Sequence, residues 1–154
     1  MNSYQVQRFN NKYHVYNNSN FNIYKNEESI SNKYGYIQIT ITNLGNVITT
    51  NSVLTITVNK NGNEISVIRM PLTENPTLIK LPIAHPEGTL VKGQEYYFTL
   101  YNLTIGSEGY YTIITRNIRL FPNIKTVFNY NLNKRIPGIS NGDQITDIPQ
   151  HPRD

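Results

Sequence analysis

Cysteine and tryptophan are both absent from the 154 residues. Without cysteine there is no disulfide, no thiolate nucleophile and no thiolate zinc site. Charge is also scarce. Asp, Glu, Lys and Arg make up 16% of the chain, against about 25% in an average soluble protein. Long apolar runs are missing too, and none approaches the ~20 residues that a membrane-spanning helix needs. The opening MNSYQVQRFNNKYHVYNN has no apolar core of the signal-peptide kind. The expectation is synthesis in the cytoplasm without a signal peptide, and no membrane partner.

Polarity comes instead from Asn, Thr, Ser and 12 Tyr. These side chains hydrogen-bond water without strong mutual repulsion and suit a surface that assembles. The net charge is +4, yet Lys134-Arg135 is the only adjacent basic pair. A nucleic-acid binder concentrates such charge on one face or element, so no nucleic-acid partner is expected.

Residues 34–135 carry the strand signals. Ile37, Ile39 and Ile41 alternate with Gln38, Thr40 and Thr42, the period of a half-buried strand. Further strands are expected over 53–59, 65–70, 77–81, 96–105, 110–121 and 126–132, with 110–121 the longest. Asn61-Gly62 marks a hairpin, since both residues tolerate positive φ. Pro71, Pro76 and Pro82 stop strands because proline cannot donate to a ladder. His85 to Gln94 is expected as a long loop. The fold class predicted is all-β: an antiparallel Greek-key β-sandwich of about seven strands with extended N- and C-terminal arms. Ile37, Ile39, Ile41, Leu81, Leu120 and Phe121 are the expected core.

The arms are residues 1–33 and 136–154. In the first, Tyr4, Val6, Phe9, Tyr13, Val15, Phe21 and Ile23 alternate with polar residues in short period-two stretches. A lone strand gains stability only by adding to an existing sheet, so a segment within 2–24 is expected to pair as a strand, preferably with another copy. In the second arm, Ile136, Ile139, Ile145 and Ile148 are the only large apolar side chains. Pro137, Pro149 and Pro152, with Gly138 and Gly142, are expected to exclude a packed element there. The alternative is an extended peptide whose isoleucines fill pockets on a neighbour, which makes this arm the second choice for docking.

No catalytic pattern is visible. His14, His85 and His151 lie far apart in sequence and are expected at the surface, without a metal. No Gly-x-Ser-x-Gly elbow is present, and the acidic residues fall at strand ends and in loops, away from the paired placement that glycoside chemistry needs. No enzyme activity and no cofactor are expected. Tyr96, Tyr97, Phe98 and Tyr101 could stack sugars or bases. Phe98 and Leu100 are expected inward by parity, with Tyr97 and Tyr101 on the other, mixed face.

Three stretches carry a resemblance: Tyr36 to Thr42 with its turn, Leu78-Ile79-Lys80-Leu81-Pro82, and Tyr101 to Ile105 through Gly109-Tyr110 to Asn117-Ile118-Arg119-Leu120-Phe121. Together they resemble the transthyretin-like, or carboxypeptidase regulatory-like, domain, closest to copies from spore-forming bacteria. Asn46-Val47-Ile48 stands where that family has Pro-Ile, and Thr73-Glu74-Asn75-Pro76 replaces a T-D-x-x-G segment. The resemblance implies a non-catalytic folding, docking or adhesive module of cell-wall hydrolases and surface proteins. The expected function is a structural subunit of a bacterial surface layer or fibre, on the spore or cell surface. It would self-assemble by docking an extended arm on a neighbouring sandwich, with copies of itself and cell-wall or spore-coat components as partners. The alternative is a cell-wall or glycan-binding accessory module, related to the N-terminal domain of spore cortex hydrolases.

Overall fold

The structure is a computed structural model and describes residues 5–9, 13–17, 33–44, 46–47, 51–139 and 142–150. These residues contain no helix and fold into thirteen strands. Strands β1 (Gln5–Phe9), β2 (Tyr13–Asn17), β3 (Tyr34–Asn43), β4 (Asn46–Val47), β7 (Thr77–Pro82) and β12 (Lys125–Asn131) form one sheet, in the order β1-β2-β7-β3-β12 with β4 on β3. Strands β5 (Ser52–Lys60), β6 (Asn63–Pro71), β10 (Tyr101–Ser107), β11 (Ile113–Ile118) and β13 (Gln144–Asp147) form the second, in the order β13-β11-β10-β5-β6. Strands β8 (Val91–Lys92) and β9 (Tyr97–Phe98) make a separate two-stranded flap.

Period-two alternation builds both main sheets. Ile37, Ile39, Ile41, Ile79 and Leu81 from the first sheet share one buried cluster with Leu54, Ile56, Val58, Leu103, Ile105 and Ile113 from the second. Each fully buried aliphatic side chain contributes about 1.5–3 kcal/mol, so this cluster is the main force holding the sheets together. A polar tie closes one side. The Thr115 hydroxyl on β11 lies 2.7 Å from the Tyr130 hydroxyl on β12, joining the two sheets. Burial raises the Tyr130 hydroxyl above its usual pKa, and the Thr115 hydrogen bond partly opposes that shift.

The Asn-Gly hairpin forms as expected. Asn61 and Gly62 take φ of 54° and 83°, both central residues left-handed as a type I′ turn requires. The Asn59 side-chain oxygen accepts from Gly62 N at 2.9 Å. Ile37, Ile39, Ile41, Leu81 and Leu120 are buried as expected.

Several expectations are corrected. The pairing is mixed. β3 with β12, β2 with β7 and β11 with β13 are parallel. Among the described residues between 34 and 132 there are ten strands instead of about seven, because β4, β8 and β9 are two-residue pieces too short for a periodic signal. The stretch 110–121 is not the longest strand. Only Ile113–Ile118 is extended, and β3 is longest at 10 residues. Asn117 has φ of 61° and donates its N–H to the Asn102 side-chain oxygen. This β-bulge shifts parity, so Ile113, Thr115 and Ile118 all point inward. Phe121 lies beyond it and is 37% exposed. The stretch 96–105 is likewise broken between β9 and β10, so Phe98, Thr99 and Tyr101 are all buried. The single-strand parity expected for Phe98 and Tyr101 therefore fails.

Candidate functional site

Two features could do something beyond folding: the strands added at the sheet edges, and the buried polar cluster around His85.

At the edge of the first sheet, β1 and β2 pair antiparallel, with Phe9 opposite Tyr13. β2 then adds in parallel to β7, with Tyr13, His14 and Val15 opposite Leu78, Ile79 and Lys80. Val6, Phe9, Tyr13 and Val15 thus belong to strands of this chain's own sheet. Tyr4, Phe21 and Ile23 lie outside the described residues, as does His151.

At the edge of the second sheet, the 136–154 segment contributes a strand despite its prolines and glycines, which corrects the expectation that it holds no packed element. Gly142 and Pro149 flank β13 without interrupting it. β13 adds in parallel to β11, with Ile113, Ile114, Thr115 and Arg116 opposite Gln144, Ile145, Thr146 and Asp147. Gln144 N donates to Thr112 O at 2.9 Å and Ile148 N to Arg116 O at 3.1 Å. Thr112 N donates to the Asp143 carboxylate at 3.0 Å. The Gln144 amide donates to Asn131 O at 3.1 Å, and Arg116 lies 3.9 Å from Asp147. Ile148 is half-buried against the common core, whereas Ile136, Ile139 and Ile145 are exposed. The four isoleucines therefore do not act together, and the backbone carries most of the docking.

The edges at β6 and β12 differ in how open they are to a further strand. β6 carries an extra residue opposite Ile56–Thr57, together with Glu64, Arg69 and Pro71. A bulge, charges and proline all spoil an edge for a further strand. On β12, Tyr36 N donates to Ile124 O and Leu132 N to Thr42 O. Even-numbered positions between them therefore face β3, and Lys125, Val127 and Asn129 turn their backbone groups outward.

His85 is fully buried, which corrects its expected surface position. The chain holds it through polar contacts. His85 N donates to the Thr99 hydroxyl at 2.9 Å. Its Nδ1 accepts from Glu87 N at 3.1 Å, which places the imidazole proton on Nε2. Its ring meets Tyr101 edge to face at 6.1 Å, and the Tyr101 hydroxyl donates to Pro82 O. Burial holds the imidazole well below its usual range, at about 4, with the Glu87 carboxylate opposing and Lys60 reinforcing the shift. Lys60 pairs with Glu87 at 3.2 Å. Gly88 closes this turn against Thr99. A Cβ on Gly88 would come within 2.2 Å of the Thr99 methyl group. Neither of the usual sequence cues for a functional histidine, ligand spacing or a partner motif, marks His85.

The flap β8–β9 is clamped by Arg119, whose guanidinium sits 4.0 Å from the Phe98 ring centre and 4.8 Å from that of Phe121. This stacking is worth ~0.5–2 kcal/mol and uses the aromatics that a sugar platform would need. Tyr96 is 6.0 Å from the same cation, Phe98 and Tyr101 are buried, and the four aromatics do not form one exposed face. An open recess of about 310 Å³ is lined by Asn51, Ser107, Glu108 and Tyr110. Among the described residues no three His, Cys, Asp or Glu side chains gather as metal ligands, and no helix is long and apolar enough to cross a membrane. The chain matches no model of a known protein family and no curated protein.

Proposed function

We propose that this chain is a non-enzymatic structural subunit that self-assembles into a surface layer or fibre by strand addition. One observation supports this above all: segments on both sides of the body, 13–17 and 144–147, are built as strands that add in parallel to strands of two different sheets. Strand addition gains backbone hydrogen bonds whatever the side chains, and works equally between copies. If each copy passes a segment forward, the contact is heterologous and grows without closing. The body is a Greek-key sandwich of the transthyretin-like kind, and the assembly belongs on a spore or cell surface. The resemblance of Tyr36–Thr42, Leu78–Pro82 and Tyr101–Phe121 supports both statements.

The test is negative-stain electron microscopy with sedimentation velocity on the purified chain and on a variant lacking residues 1–24. Concentration-dependent polymers lost on deletion support the proposal. A chain that stays monomeric throughout and titrates with peptidoglycan fragments is instead the wall-binding module.

A further inference from the structure

We infer that the edge of β11 is a peptide-binding groove, and that a second copy of this chain delivers residues 142–148 to it by exchange with the copy's own segment. The inference rests on the strand-addition reading above and names its receiving site.

The groove is built for a particular sequence. Its floor is the Tyr111 ring, which is buried. A Cβ on Gly142 would come within 2.2 Å of a Tyr111 ring carbon, so only glycine lies flat there. One residue on, the Asp143 carboxylate accepts from Thr112 N. β13 then runs in register along β11, and its far end is fixed by Ile148. That residue donates its N–H to Arg116 O and packs on the core. The ligand pattern is thus Gly-Asp, three extended residues, then Asp-Ile. The groove reads it through a ring face, a backbone donor and an apolar notch.

The segment is also easily released. β13 has four residues, and Ile145, Thr146 and Asp147 are exposed. Only Ile148 reaches the core. The stretch leading to it, Asn133–Ile139, is exposed. Its root is fixed to the body, with Tyr111 N donating to Asn133 O and Arg135 donating to Gly109 O and Tyr110 O, and beyond Arg135 it is held through the Tyr111 hydroxyl. That hydroxyl accepts from Ile136 N and donates to Ile139 O at 3.2 and 3.4 Å. Small buried area and an exposed connector are the conditions under which an element opens locally while the rest stays folded. An identical element from a neighbour then fits the vacated edge without any new contact having to be invented.

The test uses the full chain with a protease site inserted between Gly138 and Ile139, cut after purification, and a fluorescent synthetic peptide of residues 140–150. The cut fragment should stay with the body on size exclusion. The labelled peptide should displace it saturably. Peptides carrying Gly142→Val or Ile148→Asp should bind at least tenfold more weakly. In the uncut chain, the Gln144 and Ile148 amides should exchange hydrogen at least 100-fold faster than Leu103 and Ile105. Chains of two isotopic masses, mixed uncut and cross-linked through the segment, should give mixed-mass pairs. A fragment lost at once from a folded body, no displacement, a body that melts when the fragment leaves, amide exchange at the core rate, or pairs of single mass only would each overturn the inference. Polymers that survive while peptide exchange fails would remove this edge and leave the strand-addition reading standing. Exchange without polymers would do the reverse.

Discussion

Two connectors in this molecule look alike as text and have opposite fates. His85 to Gln94, HPEGTLVKGQ, and Ile136 to Ile148, IPGISNGDQITDI, are both polar and rich in Pro and Gly. The first begins inside the protein. His85, Pro86 and Gly88 are buried, held by Thr99, Tyr101 and the backbone of Glu87. The second stays largely outside, and among its described residues Gly142 lies on the Tyr111 ring and Ile148 packs against the core. Apolar content does not separate them, since the second has more isoleucine. Complementarity does. A buried polar segment is stable only when its donors and acceptors find partners, and here Thr99 after β9, Tyr101 at the start of β10 and the connector's own Glu87 supply the contacts.

That difference can be broken deliberately. The largest effect is expected from Tyr101→Ala, which removes a fully buried ring on which His85 rests. It should cost about 3–5 kcal/mol, read as a fall in urea midpoint. A smaller loss would show that the buried connector does not depend on the ring.

Acid should act on the first connector next. With the His85 imidazole held at about 4 and near 6.5 when unfolded, the unfolded chain binds the extra proton between those values. Stability should therefore fall as pH drops from about 6.5 to 4, by about 3 kcal/mol in total, and level off below. His85→Gln should flatten that part of the profile. An unchanged slope would assign the acid sensitivity to other groups.

The two close-packed glycines give the sharpest paired test. Gly88→Ala should cost about 1–3 kcal/mol by overpacking against Thr99. Gly142→Ala, with an equally short contact on Tyr111, should cost less than about 1 kcal/mol, because its segment can lift off while the body stays folded. It should instead raise hydrogen exchange at Gln144 and Ile148 selectively. Equal losses from both would erase the distinction. The smallest effect is expected from Lys60→Met. The Lys60–Glu87 pair is partly exposed, and such pairs contribute about 0–1 kcal/mol. The change should be smaller still in high salt.

What could be seen in the sequence follows from range. Ile37–Ile41 and Asn61-Gly62 announce themselves because period-two burial and a two-residue turn are local. The break at Thr99–Leu100 and the bulge at Asn117 are not. Thr99 is drawn inward by His85, 14 positions away, and Asn117 turns left-handed against Asn102. The same holds for the candidate site. Alternation in residues 5–17 suggests extended chain, but the β7 partner does not show in it. β13 hides because Gly142 and Pro149 look like breakers, although they only flank it. Glycine there answers to Tyr111, a contact 31 positions distant.

The parallel pairing of β3 with β12 has a kinetic consequence. Thr42 and Asn131 lie opposite one another although 89 positions apart in sequence. Loop-closure entropy must be met before such a pair rewards the chain, and sheets dominated by distant partners fold in milliseconds to seconds. β5, β6 and β10, joined through nearer neighbours, are placed to form first. During that interval the long, regular β3 offers an unclaimed edge. At high local concentration of newly made chains, the order of events decides which strand reaches it first.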